Sequence, residues 1–487
     1  MYNNFMTSVY RVTHEYRKDF SMPVNSFDHY PLSWKPDKTK LTVPYYKSLS
    51  LDLEEKIHSG ELKAGTKLPP QREIADYLDL NYTTITRVYD LCRKKGLIYG
   101  VTGKGTFVAA HPAEDVTIAV PESRQDTIEM GSVNGFSEYS LPVEEATRTV
   151  IERGYLRSLY EYSYPLGHPH QLAAGARWIE QLKVYSDPTH MAICAGAQNA
   201  LTVALLSLFS PGDEIAVDPY TYSNFIELAH MFHLVLVPIP GDKEGMRPDA
   251  LERSCRLHAL KGIYLIPTCA NPTTITISEA RRKELAAVIK RQKLILIEDD
   301  ISTWLFAASG LPVLPSFHDL LKGDSVYICG MTKSLCPGLR IAFMSFPPAL
   351  KGAISHGISN INIKTSSLDA EIISELILNG SAYEIARKKA AWAVEASRLF
   401  TEFFPGFETA PCYYRWLPIG TNRPFLKTEK ELLDRGVRIY HSERFAVTRE
   451  NGEKYLRVAL CSAGNVHRLK KGLQILKDYL EGSMVEN

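Results

Sequence analysis

Two basic side chains with different chemistry lie close together in the stretch Tyr327–Pro347, which reads YICGMTKSLCPGLRIAFMSFP. Lys333 follows an apolar run typical of a buried strand. Because burial disfavours an ammonium, more free amine is available there to condense with an aldehyde. Arg340 lies one loop further on, and a guanidinium suits a phosphate. An aldehyde and a phosphate on one small molecule describe pyridoxal 5'-phosphate. The alternative is a lysine that simply extends its ammonium to solvent.

The neighbouring residues favour the cofactor. The string T-K-x-L-x-P-G-L-R at residues 332–340 resembles the Schiff-base segment of fold-type I aminotransferases, usually written S-K-x-L-x-P-G-x-R. The resemblance implies that Lys333 binds the cofactor aldehyde and acts as the catalytic lysine. It also implies that Thr332, which keeps the hydroxyl of the usual serine, contacts the phosphate together with Arg340.

A second phosphate contact is expected where a strand runs into a helix. MAICAGAQNALTVALLSL predicts a strand, a turn of small residues and a helix, whose first backbone amides can bind phosphate. The segment matches the G-x-Q-x-A-L of the same family, which implies that Ala197 and Gln198 contact the cofactor. The alternative is a strand-to-helix turn that only packs on the sheet.

Two further strands end in polar residues that the family uses. IYLIPTCANPTT resembles N-P-T-G, which implies that Asn271 donates to the phenolic oxygen of the cofactor, although Thr274 replaces the glycine and should stiffen the loop. LILIEDD ends in acids, and register with E-D-D-Y implies that Asp299 keeps the pyridine nitrogen protonated. An acid at a strand end can instead be solvated or cap the next helix.

Three more positions match the family. Tyr222, in the aromatic loop EIAVDPYTYSNF, could place its ring over a flat cofactor, or fill the core. Tyr162, five residues before Gly167, matches the tyrosine that reaches the cofactor phosphate of a neighbouring subunit. Arg457 in KYLRVAL matches the arginine that binds a substrate α-carboxylate, whereas a surface ion pair is the alternative.

One position departs from the family pattern. Related sequences have a tyrosine two residues after the aspartate, and this chain has Ile301. The phenolic oxygen of the cofactor thereby loses one hydrogen-bond donor. Loss of a preorganised donor costs about 10²- to 10³-fold in rate at oxyanion-type sites. We therefore predict cofactor binding with little or no transaminase turnover.

Residues 41–108 follow a different pattern. Tyr46, Leu49, Leu53 and Ile57 have helical spacing and predict a first helix that ends at Gly60. A second helix is predicted over Gln71–Leu78, and a third from the N-cap Asn81 to Gly96. LIYGVTGKGTFV then predicts two short strands around a Gly103-Lys104-Gly105 tip. This order predicts a winged helix-turn-helix.

Basic and hydroxyl side chains on this domain suit nucleic acid. The third helix exposes types that contact phosphates and base edges: Tyr82, Thr83, Thr84 and Arg87. From Arg87 to Lys104 there are five basic residues (Arg87, Arg93, Lys94, Lys95, Lys104) and one acid, Asp90, in a chain of net charge +1. The alternative is a small helical domain with a solvated charged face.

The sequence motifs of this region favour DNA binding. G-E-L-x-x-G-T-K-L-P-P-Q-R-E-I-A, then T-T-x-T-R-x-Y and G-x-G-T-F-V, resemble the GntR family of DNA-binding domains. The resemblance implies that Arg72, Thr83, Arg87 and Gly105 contact DNA. Thr84 on the third helix and Lys104 at the wing tip are further candidates for DNA contact.

Composition and pattern set the remaining expectations. The 487 residues are 45% hydrophobic, no apolar run approaches the roughly 18 to 20 residues of a membrane span, and the eight cysteines form no C-x-x-C pair or Cys/His cluster. A cytoplasmic protein without a disulfide framework or a metal site is therefore expected. We predict an N-terminal extension (1–40), the DNA-binding domain (41–108), a linker (109–125) and an aminotransferase-like, cofactor-binding and dimerisation domain (126–487).

A GntR-like domain followed by an aminotransferase-like domain resembles the MocR/GabR-like subfamily of GntR regulators. That similarity implies α/β architecture, with a winged helix-turn-helix followed by a large domain with a mostly parallel sheet and a smaller C-terminal α+β subdomain of roughly residues 350 to 487. It implies a homodimer that binds a double-stranded DNA operator and senses an amine, an amino acid or pyridoxal 5'-phosphate itself. An active aminotransferase with an autoregulatory DNA-binding domain is the alternative, and a cofactor-free dimerisation scaffold is a second.

Overall fold

The computed structural model describes residues 32–58, 61–63, 66–94, 97–101, 105–108, 118, 127–134, 141–407, 410–448 and 452–482. The chain forms two compact units, residues 1–115 and 116–487. The predicted helix stops Gly60 and Gly96, Lys104 at the wing tip and nearly all of the predicted linker lie outside the described residues. Within the described ranges, no helix combines the length and the apolar character that a membrane crossing needs.

The first unit is a winged helix-turn-helix, as the sequence predicts. Its elements are α1 (Tyr45–His58), α2 (Gln71–Leu78), α3 (Tyr82–Lys94) and the antiparallel strands β1 (Ile98–Val101) and β2 (Gly105–Val108). Asn81 caps α3, because its side-chain oxygen accepts a hydrogen bond from the Thr83 amide at 2.9 Å. The apolar faces of the three helices meet in one core with Leu49, Ile74 and Ile85 fully buried.

Two segments add to this unit beyond the predicted elements. Residues 66–68 lie beside β2, with hydrogen bonds from Leu68 N to Thr106 O (2.8 Å) and from Val108 N to Thr66 O (2.9 Å). The segment before α1 also packs on the domain, since Trp34 is only 1% exposed and its indole donates to the Asp52 carboxylate at 2.8 Å. The core of the DNA-binding unit therefore includes a residue of the predicted N-terminal extension.

The second unit contains the remaining strands and helices. Its strands are β3 (Ile128–Glu129), β4 (Met191–Cys194), β5 (Glu214–Val217), β6 (Val235–Pro238), β7 (Gly241–Asp242), β8 (Gly245–Met246), β9 (Leu260–Leu265), β10 (Ile295–Asp300), β11 (Ser325–Gly330), β12 (Ala342–Ser345), β13 (Tyr414–Gly420), β14 (Val437–Arg438), β15 (Tyr440–His441) and β16 (Lys454–Ala459). Its helices are α4 (Leu141–Glu152), α5 (Pro169–Glu180), α6 (Ala197–Leu208), α7 (Ser223–Met231), α8 (Pro248–Leu257), α9 (Glu279–Gln292), α10 (Thr303–Ala308), α11 (Phe317–Leu321), α12 (Met331–Ser334), α13 (Lys351–Ile361), α14 (Ser367–Leu378), α15 (Ser381–Phe403), α16 (Phe425–Asp434) and α17 (Val466–Gly482).

A seven-stranded sheet organises the larger part of this unit. Its strand order is β4-β12-β11-β10-β9-β5-β6, and all strand pairs are parallel except the two made by β12. Neighbouring residues of β11 point to opposite faces, so Tyr327 and Ile328 lie in two separate apolar clusters. Helices cover both faces, which explains why these strands are continuous apolar runs in the sequence. The predicted mostly parallel sheet is confirmed.

A smaller C-terminal core is also present, although it begins later than the residue 350 that the sequence suggests. Strands β13, β16 and β15 form an antiparallel sheet, and β14 pairs with β3. The core behind them takes residues from the C-terminal half of α15 onwards, together with Ile128 and Met130. Helices α13 and α14 instead bury Ile354 and Ile373 against the large sheet, because their apolar faces continue its two clusters.

Candidate cofactor site and nucleic-acid interface

The site lies where the parallel strands β10 and β11 end, since Asp299 pairs with Ile328 and Lys333 follows β11 on the one-turn helix α12. Lys333 is half-buried, and its amine donates to the main-chain oxygen of Val133. Burial lowers the pKa of Lys333 to about 8; the thiol of Cys461 opposes this shift, and the nearby charges of Arg457 and Arg340 add to it. This amine is more nucleophilic near neutral pH than an exposed lysine.

The two acids at the end of β10 have different roles. Asp300 binds the start of α10, because its carboxylate accepts from the Thr303 amide at 2.9 Å and from the Tyr327 hydroxyl at 2.6 Å. Asp299 accepts from the Tyr264 hydroxyl at 2.8 Å through one oxygen, while the other oxygen is buried without a hydrogen-bond partner. Burial raises the pKa of Asp299 to about 7. Helix capping therefore explains Asp300 and leaves Asp299 available to a ligand.

A cradle for an anion lies at the start of α6. Gly196 precedes this helix at φ +84°, and a Cβ atom built on it would lie 2.5 Å from Nη2 of Arg340. Arg340 also donates to the Thr332 hydroxyl at 3.1 Å. The tertiary structure thus brings a guanidinium, a hydroxyl and a helix N-terminus together. Ala197 begins the helix, and Gln198 beside it holds a buried side-chain oxygen without a hydrogen-bond partner.

Arg457 and Asn271 contact each other beside the site. Arg457 on β16 is 2% exposed and donates to the Asn271 side-chain oxygen at 2.8 Å and to Gly131 O at 2.6 Å. Its guanidinium lies 4.6 Å from the centre of the Phe445 ring. Burial lowers the pKa of Arg457 to about 10. These donors bind neutral oxygens, which differs from the surface ion pair considered as the alternative.

Tyr222 lies between these groups, at the residue that precedes α7. Burial raises its pKa to about 12, the charge of Asp299 adds to the shift, and Arg457 and Arg340 oppose it. Ile301 is half-buried and packs on the apolar core, so it supplies no donor to the site. The position that is usually glycine, Thr274, has φ +64°, a backbone conformation that disfavours a β-branched residue.

Tyr162 is the predicted cofactor residue that this single chain leaves outside the site. Its side chain is 83% exposed, in a surface segment where Tyr160 (67%) and Tyr164 (52%) are exposed as well. The resemblance assigns this tyrosine to a neighbouring subunit's cofactor, and an outward-facing ring suits that role. Its contact with a partner stays a prediction.

The sequence reasoning missed two residues of the site. Tyr264 lies on β9 in register with Ile297, one strand away from Asp299, and only strand pairing reveals their contact. Lys389 on α15 is fully buried, and its amine donates to the main-chain oxygens of Leu335 and Lys333. A signal for Lys389 was present, because it shares helical spacing with the buried alanines Ala386, Ala390 and Ala393.

Most of the residues expected to contact DNA are exposed on the described part of the first unit. Arg72 at the start of α2 and Tyr82, Thr83 and Arg87 on α3 are exposed, whereas Thr84 is half-buried. Gly105 at the start of β2 is exposed with φ +116°, and a Cβ atom there would lie 2.9 Å from Lys67. Within the first unit, Thr83 and Arg87 thus have the exposure that contact with a major groove requires.

Comparison with known proteins agrees with both units. Residues 45–108 match the family of bacterial regulatory proteins, gntR family, and residues 131–475 match aminotransferase class I and II. Together the two units define a class of transcription regulators with an aminotransferase domain. The HTH-type transcriptional regulator YdeF of Bacillus subtilis (strain 168) is 34% identical over 465 residues, which cover 94% of this chain and 99% of YdeF.

A second relative specifies the family. The probable rhizopine catabolism regulatory protein MocR of Rhizobium meliloti is 26% identical over 384 residues, covering 74% of this chain and 76% of MocR. The chain belongs to the MocR/GabR-like subfamily of GntR transcription regulators, and its N-terminal unit is a DNA-binding domain.

Solved structures agree with the fold of the second unit. An archaeal alanine:glyoxylate aminotransferase has a TM-score of 0.68 at 19% identity, covering 73% of this chain and 91% of that protein. The α-aminoadipate aminotransferase LysN of Thermus thermophilus, solved with N-(5'-phosphopyridoxyl)-L-leucine, has a TM-score of 0.68 at 20% identity and covers 74% of this chain and 94% of LysN.

The aminotransferase domain implies pyridoxal 5'-phosphate as the cofactor. Three observations of this structure fit that molecule. The Lys333 amine has a lowered pKa, Asp299 holds a buried oxygen without a partner, and Arg340 approaches Gly196 at the start of a helix. An amine for the aldehyde, a carboxylate for the ring nitrogen and a cradle for the phosphate are thus present in one site.

Proposed function

We propose that this protein is a transcription regulator in which Lys333 binds pyridoxal 5'-phosphate and an amino compound, or the cofactor itself, is the signal. The observation that carries the proposal is the meeting of the Lys333 amine, the unpartnered oxygen of Asp299 and the guanidinium of Arg340 in one site. Burial costs the Lys333 amine and the Asp299 carboxylate free energy, which a ligand of matching chemistry offsets.

Each residue has a specific role in this proposal. The bound cofactor supplies an electrophilic carbon that captures primary amines and a ring that withdraws electrons. Asp299, held by Tyr264, keeps a proton at the ring nitrogen. Thr332 and Arg340 bind the phosphate with the first amides of α6, and Asn271 donates to the phenolic oxygen.

Arg457 is the residue that binds the effector when the effector carries a carboxylate. Its guanidinium is already oriented by Asn271 and by the ring of Phe445. Phe445 in turn belongs to a loop of the smaller core that is hydrogen-bonded to the large-sheet loop, through Thr221 N to Phe445 O at 2.9 Å. A carboxylate on Arg457 therefore acts at the junction of the two cores.

Regulation then follows from differential affinity. An effector shifts the protein between two arrangements only if it binds one of them more tightly. We propose that effector binding closes the smaller core on the large sheet, and that the closed and open arrangements present the DNA-binding domains differently. A homodimer is part of this proposal, because paired half-sites in DNA require paired readers.

The alternative function is an active aminotransferase with an autoregulatory DNA-binding domain. The retained amine, ring-nitrogen acid and carboxylate-binding arginine (Lys333, Asp299 and Arg457) favour it. Ile301 argues against it, since the usual tyrosine donor is absent at that position. Turnover of an amino donor and a keto acid at ordinary enzyme rates by the purified protein would favour the alternative.

The visible absorbance spectrum, measured beside DNA binding, tests the proposal. Wild type is expected to give a visible cofactor band and to be labelled at Lys333 by borohydride, whereas Lys333→Ala gives neither. Lys388→Ala, which removes an exposed lysine of α15, is the matched control and should behave as wild type. Candidate amines should change both the band and the DNA affinity of wild type and of Lys388→Ala, and neither property of Lys333→Ala.

The proposal fails if Lys333→Ala keeps the band and the borohydride label. It also fails if wild type reconstituted with pyridoxal 5'-phosphate stays colourless. If the DNA affinity is the same with and without the cofactor and every amine tested, the second unit is a dimerisation scaffold.

A further inference from the structure

A second buried lysine lies directly behind the cofactor-binding lysine. Lys389 has 0% of its side chain exposed, and its amine donates to the main-chain oxygen of Leu335 and, at 3.5 Å, to that of Lys333. Burial of an ammonium costs several kcal/mol unless hydrogen bonds compensate it. The compensating bonds all go to the chain segment that carries Lys333.

That segment has too few internal hydrogen bonds to fix its own conformation. Helix α12 is four residues long, so most of its carbonyl groups have no partner within the helix. The Lys333 oxygen also accepts from the hydroxyl of Tyr413 at 3.4 Å. Lys389 and Tyr413 thus supply the donors that a longer helix would supply from its own next turn.

The helix that carries Lys389 joins the two cores of the second unit. In α15, Ala386, Ala390 and Ala393 lie in the large-sheet core, while Ala396 and Phe400 lie in the smaller core. A bond from this helix to the main chain of Lys333 therefore connects the cofactor-binding residue to an element that both cores share.

We propose that Lys389 is a positioning residue that ties the main chain of Lys333 and Leu335 to α15, and thereby directs the Lys333 side chain into the cofactor site. The inference rests on cofactor attachment at Lys333. It assigns the buried lysine a role in presenting the amine, beyond packing.

Electrostatics around the two amines supports this role. Burial lowers the pKa of Lys389 to about 8; the thiols of Cys336 and Cys461 oppose the shift, and the charge of Lys333 adds to it. Because repulsion between two like charges is mutual, we infer that the charge of Lys389 likewise disfavours protonation of Lys333. Removal of Lys389 should make Lys333 easier to protonate, so that less free amine is present near neutral pH.

Three variants separate positioning from packing. Lys389→Met keeps the length of the side chain but removes its charge and its hydrogen-bond donors, whereas Lys389→Arg keeps the charge and the donors. Lys388→Met changes an exposed neighbour on the same helix. The measurements are the rate at which the visible band forms on addition of pyridoxal 5'-phosphate, its pH midpoint, and the Tm of the cofactor-free protein. In Lys389→Met we expect a rate about tenfold lower at neutral pH and a midpoint about one pH unit higher. Lys389→Arg and Lys388→Met should stay near wild type.

The inference is overturned if Lys389→Met and Lys388→Met share the same rate and midpoint, or if Lys389→Met lowers only the Tm. Should Lys389→Met fail to fold, Lys389→Gln, which removes the charge but keeps a donor, must show the higher midpoint. A wild-type protein that forms no band at all would contradict the proposed function instead, so the two failures are distinguishable.

Discussion

Burial shifts the pKa values of two ionisable residues of the proposed cofactor site in opposite directions. It lowers the pKa of the Lys333 ammonium to about 8 and raises that of the Asp299 carboxyl to about 7. Both shifts favour the neutral form, because a low dielectric penalises charge. In the cofactor-free protein each group therefore changes its protonation near neutral pH. A ligand can then bind the neutral amine of Lys333 and the charged carboxylate of Asp299.

The rate of cofactor attachment should depend on pH through Lys333. Only the neutral amine attacks an aldehyde, so the rate is expected to rise about tenfold per pH unit up to pH 8 and to level off above it. Stopped-flow absorbance between pH 6.5 and 9 measures this.

The same shift makes the free energy of unfolding of the cofactor-free protein rise from about pH 8 to 10.5, since the unfolded chain then binds more protons. A rate that is flat below pH 8 would contradict the lowered pKa.

Asp299 should contribute strongly to cofactor affinity. Asp299→Asn keeps the side-chain shape and its bond from Tyr264 but loses a charge-assisted hydrogen bond, worth roughly 1.5–3 kcal/mol. We expect the Kd for pyridoxal 5'-phosphate, measured by fluorescence titration, to rise about 10- to 100-fold. Asp324→Asn, at an exposed position just before β11, is the control. Equal affinities of the two variants would show that Asp299 does not bind the ring.

At the scale of elements, we expect helix α3 to determine how the first unit binds DNA. Its apolar face is buried against α1 and α2, and its first turns expose hydroxyl and basic side chains. Strand β2 of the wing is joined to residues 66–68 by main-chain hydrogen bonds. Sequence-specific binding then depends on a few side chains on a rigid frame.

Arg87 is the side chain whose loss should weaken DNA binding most clearly. Its guanidinium is exposed on α3 and lies 5.9 Å from the ring of Tyr46. Arg87→Ala is expected to cost about 1–3 kcal/mol and, if the contact is to phosphate, to reduce the salt slope of binding by about one. Fluorescence anisotropy with operator DNA at several salt concentrations measures both. Lys283→Ala on α9, which removes an exposed lysine of the second unit, should change neither. Unchanged affinity of Arg87→Ala would mean that α3 does not face DNA.

At the scale of the whole molecule, several aromatic and apolar side chains near Tyr162 in the sequence are exposed. Tyr160, Tyr162, Tyr164 and, on α4, Leu141 and Ile151 are each more than half exposed. Exposed apolar and aromatic side chains of this kind are typical of surfaces that bind a partner. A second copy of the chain is the partner that the proposed homodimer supplies.

A complementation experiment tests whether Tyr162 completes the site of the partner subunit. Tyr162→Ala alone should weaken cofactor affinity about tenfold, the loss of one hydrogen bond to a charged group. A hybrid of one Tyr162→Ala chain and one Lys333→Ala chain contains one site with both residues intact, so it should regain wild-type affinity at half the stoichiometry. Tyr185→Ala, at another exposed tyrosine, is the control. A hybrid with no high-affinity site would place Tyr162 in its own subunit's site, and a Tyr162→Ala homodimer of wild-type affinity would place it in no site.

The sequence alone determined the elements and their local chemistry. Apolar periodicity and the residues Asn81 and Gln71 give the helices of the first unit, and continuous apolar runs give the strands that end near Asp299 and Lys333. These features depend on contacts within a few residues, which the order of the chain specifies directly.

Only the tertiary structure decided which distant residues meet. The hydroxyl of Tyr264 on Asp299, the guanidinium of Arg457 on Asn271 and the amine of Lys389 behind Lys333 join residues 35, 186 and 56 positions apart. The packing of Trp34 into the DNA-binding core and the late start of the smaller core are of the same kind. Such contacts follow from strand order and helix packing, and their sequence signals are single residues whose partners lie far away in the chain.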